Sequence, residues 1–210
     1  MKSTPDNILE TNKAVVAGIV SKPLQFSHKT YGEVFYTFKL GVERKSGYED
    51  EVIIMISERL ITDDPPSIGQ YIRIYGQVRT YNENVEGRNK LNIVVFAREV
   101  ETQDSKYKDE NEIYLEGFLC KKPVRRTSPL GRKICDIMLA VNRMYNKSDY
   151  IPCIAWGRNA LYAETMDVGD KICITGRLQS REYRKRMGDG DIITKTAYEV
   201  SILKLEIEEN

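Results

Sequence analysis

Four aromatic residues, Tyr145, Tyr150, Trp156 and Tyr183, stand near strand ends with arginine or lysine close by, as in SDYIPCIAWGRNA (148–160), which holds the only tryptophan. A ring offers a flat π face on which an unpaired nucleobase can stack, and a neighbouring cation can meet phosphate. Together they suit single-stranded nucleic acid, at about 1–3 kcal/mol per stacked base. Stacking ignores base identity, so such a surface binds without strong sequence preference. The structural alternative is that these rings are ordinary partly buried residues with a polar tip outward.

Catalytic chemistry finds little support. His28 is the sole histidine, and Cys120, Cys135, Cys153 and Cys173 lie 15, 18 and 20 residues apart with no Cys-x-x-Cys pair. That spacing argues against zinc, and the cysteines read as reduced thiols packed in or on strands. The chain has no Gly-rich phosphate loop and no convincing nucleophile–base pair. No enzyme activity, metal or cofactor is expected.

The elements that position the rings come from a tandem repeat. AVVAGIVSK (14–22) matches IYLEGFLCK (113–121) at an offset of 99, which also pairs Gly32 with Gly131 and FYTFKLGVER with ICDIMLAVNR; IGQYIRIYGQV matches VGDKICITGRL at 100. Each copy reads as runs rich in Val, Ile and Tyr with period-2 alternation, broken by Gly, Asn, Asp and Pro. Five strands fit in each copy, with a short helix between the third and fourth; this is the order of an OB-fold, a five-stranded Greek-key barrel. The fold class expected is all-β, two tandem OB-folds: one over 1–101, a charged linker at 102–110, and a second over 111–210. Another small barrel or a sandwich is the alternative.

Strand alternation assigns faces. Tyr150, Pro152, Ile154 and Trp156 share one side, with Ile151, Cys153 and Ala155 on the other. In the fourth strand of the second copy, Ile172, Ile174, Gly176 and Leu178 face the core. Lys171, Cys173, Thr175, Arg177, Gln179, Arg181 and Tyr183 face out. Arg143 precedes Tyr145, and Arg158 follows Trp156. Arg125 and Arg126 in KKPVRRTSPLGRK, and Arg184, Lys185 and Arg186 in REYRKRMGDGDIITK, read as basic loops projecting like flexible fingers. Residues 121–195 carry sixteen Lys and Arg against eight Asp and Glu, a net +8, hidden within a chain total of +1.

No apolar run approaches the ~20 residues of a membrane span, and MKSTPDNILE has no signal-peptide core. The expected location is cytoplasmic and nucleoid-associated, with no membrane partner.

The stretches LAVNRMY, SDYIPCIAWG, VGDKICITGRLQSREY and TAYEVSILKLE resemble, in order and spacing, the bacterial single-stranded-DNA-binding proteins of replication, recombination and repair. The resemblance covers nearly all of the second copy and implies that Tyr145, Tyr150, Trp156 and Tyr183 are its base-stacking positions. It also implies non-catalytic binding of single-stranded DNA and four OB domains per assembly, hence a homodimer of a two-barrel chain. The family's long tail with an acidic tip recruits other proteins. This chain ends at LKLEIEEN, so recruitment through such a tip is doubtful.

The first copy departs from the pattern. Ser46, Glu51, Ser57 and Glu83 stand at the aromatic positions, and residues 1–110 carry fifteen basic against seventeen acidic residues. Its outward set is Arg73, Tyr75, Gln77, Arg79 and Tyr81, with Tyr48 in the loop after the second strand. Ile53 and Met55 make the middle of its third strand apolar on the outward side, which favours an interface. Weaker DNA binding plus assembly is the expectation for this copy. Two other functions stay open: a protein-interaction scaffold in a replication or primosome complex, and single-stranded RNA binding.

Overall fold

The computed structural model describes residues 10–85, 87–103, 108–128, 130–186 and 192–208, without the side chains of 85, 88, 103 and 184–186. In the first copy β1 (Asn12–Thr30), β2 (Glu33–Glu43), β3 (Glu49–Ser57), β4 (Tyr71–Val85) and β5 (Arg88–Gln103) pair in the closed circuit β1-β2-β3-β5-β4-β1. The second copy repeats the circuit with β6 (Glu110–Leu119), β8 (Lys133–Arg143), β9 (Lys147–Trp156), β11 (Ile192–Ile207) and β10 (Lys171–Arg186). The third and fifth strands of each barrel pair in parallel and the others antiparallel, the OB topology.

Closure depends on a glycine in the first strand of each barrel. A Cβ on Gly18 would lie 2.3 Å from the Gly41 carbonyl oxygen, and one on Gly117 would lie 2.4 Å from that of Ala140. Only a residue without a side chain lets the first strand cross so near the second. Leu40, Ile54 and Ile72 fill one barrel and Leu139, Ile151 and Ile172 the other, all fully buried.

The barrels join through β1 and β6, which pair antiparallel from Asn12 opposite Leu115 to Ala17 opposite Glu110. Ala14 faces its own repeat equivalent, Ile113, so an approximate twofold runs between them. Asn12 and Asn111 obey that symmetry. Each carboxamide donates to and accepts from one backbone residue, Val78 and Leu178 respectively, at 2.7–2.8 Å. Their side chains thus continue a ladder that the backbone has left to pair with the other barrel.

Three expectations are refined. The helix between third and fourth strands is a two-turn α1 (Gly157–Glu164) in the second copy but a single 3-10 turn, Glu58–Leu60, in the first. There the sequence runs into Asp63-Asp64-Pro65-Pro66, and proline has no N–H for the helical hydrogen bond and disfavours α geometry in the residue before it. The loop 121–133 contains β7 (Val124–Thr127), paired with β8, instead of a flexible finger. Likewise β10 and β11 extend the second basic loop as a hairpin arm up to the pair Arg186–Ile192. Between the copies, β5 runs through Gln103 and β6 opens at Glu110; the expected linker residues 104–107 lie outside the described residues. Among the described residues, no helix is long and apolar enough to cross a membrane.

Candidate nucleic-acid interface

β9 ends on Trp156, and Gly157, at φ 56°, turns the chain at once into α1. A side chain there would be strained, so glycine permits the abrupt turn that leaves the ring at the strand's edge. The indole Nε1 donates to Ser201 Oγ on β11 at 3.1 Å, fixing the ring while leaving it partly exposed. Trp156 lines a groove of about 1020 Å³. Arg132, Lys133, Arg158, Arg177 and Arg181 line it from the second barrel, and Arg44 from the first. Among the described residues, none that lines it is acidic. Tyr48, also of the first barrel, closes one side with the Arg44 guanidinium 4.6 Å from its ring centre. Tyr183 stands further out on the β10 arm, with Arg181 5.9 Å from its ring.

The first barrel has the symmetry-related groove, about 450 Å³, again with no acidic residue among the described ones that line it. Here the ring comes from a different strand. Phe96 on β5 occupies the place of Ser201, while Ser57 on β3 occupies that of Trp156, since Met55 pairs with Phe96 as Ile154 does with Ser201. Phe35, Met55 and Val94 pack beneath Phe96 as a satellite cluster outside the barrel. Of the apolar middle of β3, Met55 is thus covered within its own copy while Ile53 stays partly exposed. Arg98 lies 5.2 Å from the Phe96 ring centre, and His28 stacks on Phe35 at 5.0 Å. Tyr81 and, from the second barrel, Arg143 complete the lining.

Between the grooves sit two fully buried carboxylates, Asp50 and Asp149, related by the repeat. Asp50 takes a bidentate contact from Arg44 of its own barrel and accepts the Ser180 backbone N–H of the other at 3.0 Å. Asp149 accepts the Thr80 N–H at 2.7 Å, with Arg143 Nε 3.1 Å and Arg79 3.9 Å away. Arg177 reaches Asp50 at 3.8 Å. Each barrel therefore buries a carboxylate that clasps the fourth strand of its neighbour. Burial pulls the Arg79 guanidinium down to about 10 despite the attraction of Asp149, and burial with repulsion from Arg44 lowers Arg177. Asp50 draws Arg44 the other way through its hydrogen bond.

Glu51 adds a third link between barrels. Its N–H donates to Ser180 Oγ at 2.9 Å and its carboxylate accepts from Tyr198 at 2.5 Å and Lys39 at 2.7 Å. Burial alone would raise its pKa, but those two hydrogen bonds prevail and hold it below the usual carboxylate range. Its equivalent, Tyr150, makes the matching backbone bond to Thr80 Oγ1 at 3.1 Å.

The four aromatic positions therefore do not form one patch. Tyr150 and Trp156 share a strand, but six residues of extended chain separate them by about 20 Å. Tyr150 is held against Thr80, a residue of the first barrel's groove. Tyr145 sits in the tight turn between β8 and β9 at φ 62°, its ring almost wholly exposed. A left-handed tyrosine costs about 1–3 kcal/mol, and such strain clusters at functional sites.

The basic residues divide as well. Arg158 is exposed and lines the Trp156 groove. Arg125 and Arg126 are exposed but pair with Glu164 and Asp136. Arg73 is held by Glu110 at 2.8 Å and Glu101 at 3.6 Å, and Tyr75 lies with it, in neither groove. The side chains of Arg184, Lys185 and Arg186 lie outside the described residues. Phe96, Arg98, Arg132 and Lys133 were not singled out from the sequence. The alternation of LNIVVFAREV, with Val95 and Ala97 inward, already turns Phe96 and Arg98 out.

Residues 110–207 match the model of the Single-strand binding protein family. A single-stranded DNA-binding protein of Clostridium tetani is 34% identical over 102 residues, 45% of this chain and 70% of that protein. Single-stranded DNA-binding protein A of Bacillus subtilis is 32% identical over 96 residues, 42% of this chain and 56% of the relative. The crystal structure of the wild-type single-stranded DNA binding protein from Thermus aquaticus superposes with a TM-score of 0.73 at 20% identity. It covers 95% of this chain and 93% of that one, so the likeness in fold takes in both barrels. The family model spans the second copy, the Thermus likeness in fold takes in the pair, and on the Clostridium tetani relative, 34% identical over 70% of its length, the chain belongs to the single-strand binding protein family.

Proposed function

We propose that this chain binds and protects single-stranded DNA without sequence preference in replication, recombination and repair. The observation that carries the reading is the groove around Trp156, lined among the described residues by six cationic side chains and no acidic one. Bases stack on Trp156, Tyr48 and Tyr183, and phosphates follow Arg158, Arg132, Lys133 and Arg181. Tyr145 and Tyr150 extend the track toward the first barrel. Arg44, Arg143, Arg177 and Arg79 contribute positive potential but are anchored by the two buried aspartates, so their first role is to hold the barrels together. Arg73 and Tyr75 play no direct part.

In this reading the chain divides into OB domains at 1–101 and 111–210 joined by 102–110. It acts in the cytoplasm with the nucleoid and assembles as a homodimer presenting four barrels, as the family resemblance implies.

The test is the affinity of Trp156→Ala for oligo-dT. Loss of one stacking ring lowers affinity by about tenfold or more. Unchanged affinity at both low and high salt contradicts the site.

A further inference from the structure

We infer that the groove of the first barrel is a second base-stacking site, built on Phe96 and Arg98, that takes the strand as it leaves Tyr150. The inference rests on the proposed DNA-binding reading and deepens it. The first barrel lacks aromatics at the positions the second barrel uses, yet the ring has not been lost. It has moved one strand sideways, from the end of β3 to the middle of β5, where Phe96 takes the place that Ser201 holds beneath Trp156.

The environment fits an anionic, flat ligand. Phe96 is half-buried on a firm apolar floor of Phe35, Met55 and Val94, so a base meets a fixed ring. Arg98 is exposed and lies 5.2 Å from that ring's centre, and among the described residues no carboxylate lines the groove. A guanidinium resting on a ring can swing to a phosphate and leave the ring face to a base. Arg79 and Arg143 stay fixed on Asp149 behind it and add positive potential. Continuity gives the occupant: Tyr150 of the second barrel is hydrogen-bonded to Thr80, so single-stranded DNA running along β9 from Trp156 arrives at this groove. A protein segment would need acidic and apolar groups in register and has no comparable path leading to it.

Two variants of the full chain test the inference. In Trp156→Phe/Phe96→Trp the sole tryptophan reports on the first barrel, and in Phe96→Ala/Arg98→Ala its stacking pair is removed while Trp156 still reports on the second. Oligo-dT of about eight and about thirty nucleotides fill one barrel or reach both. The expected results are quenching of the tryptophan at 96 by the long oligonucleotide, and about tenfold weaker binding of the long one by the double alanine variant. Short-oligonucleotide quenching of Trp156 stays within about twofold. The inference is overturned if the long oligonucleotide binds, as labelled-DNA polarisation shows, without quenching at 96. It is also overturned if the double alanine variant keeps its long-oligonucleotide affinity. Failure of the parent reading looks different: the unaltered protein then binds neither oligonucleotide, and both proposals fall.

Discussion

The two grooves share a scaffold, a twofold and, among the described residues, a lining without acidic groups, yet they set their rings on different strands. In the second barrel the third strand supplies Trp156 over a serine of the fifth; in the first the fifth strand supplies Phe96 beside a serine of the third. The barrel fixes where a flat face is available, beside the parallel pairing of those two strands. It does not fix which strand provides it. Copying one barrel's aromatic positions onto the other therefore finds Ser46, Glu51, Ser57 and Glu83 and misses the ring that is there.

The comparison can be broken hardest at the clasp. Asp50→Ala leaves Arg44 and Arg177 without their buried carboxylate, and Asp149→Ala does the same to Arg143 and Arg79. Each variant is expected to lose about 3–5 kcal/mol in urea unfolding, because unpaired buried charge remains. If only one destabilises the protein, the two halves of the clasp are not equivalent. Next in size is salt. Affinity for oligo-dT is expected to fall with a log–log slope of about −2 to −4, since part of the cationic lining is free to meet phosphate. A flat response would place binding outside the cationic grooves.

Acid sharpens the comparison at Glu51, a polar link between the barrels whose equivalent in the other copy, Tyr150, carries no carboxylate. Its pKa is lowered in the folded chain, so its contribution is complete above the unfolded carboxylate value and is lost as pH falls through the folded one. Tyr198→Phe removes part of that lowering. The difference in stability between wild type and variant should shrink toward zero on acidification, and a gap that widens would be contrary. The smallest effect belongs to Arg125→Ala and Arg126→Ala, whose exposed pairs with Glu164 and Asp136 are worth no more than about 1 kcal/mol each. Thermal melts check this directly.

Much of the fold was legible because the repeat constrains it. Gly18 and Gly117 recur at one offset, and each sits where a strand crosses a carbonyl too closely for any side chain. Alternation correctly turned Ile172, Ile174 and Leu178 inward and Tyr150 outward. What escaped was sideways information. That Phe96 lies beside the end of β3 follows from the parallel pairing of third and fifth strands, which no single strand's pattern states. That Arg79, Arg143 and Arg177 serve buried aspartates follows from contacts between barrels. As sequence they look like any other outward arginine on a basic face. The proline pair after Leu60, by contrast, was in plain view and limits the first copy's helix to one turn.

The most direct test of the account is a fluorescence titration of the unaltered protein with oligo-dT, because its one tryptophan is the ring on which the second barrel's site is built. The account predicts saturable quenching of Trp156, with the midpoint moving to higher oligonucleotide concentration as salt is raised. Binding of labelled oligonucleotide with Trp156 emission unchanged would contradict it.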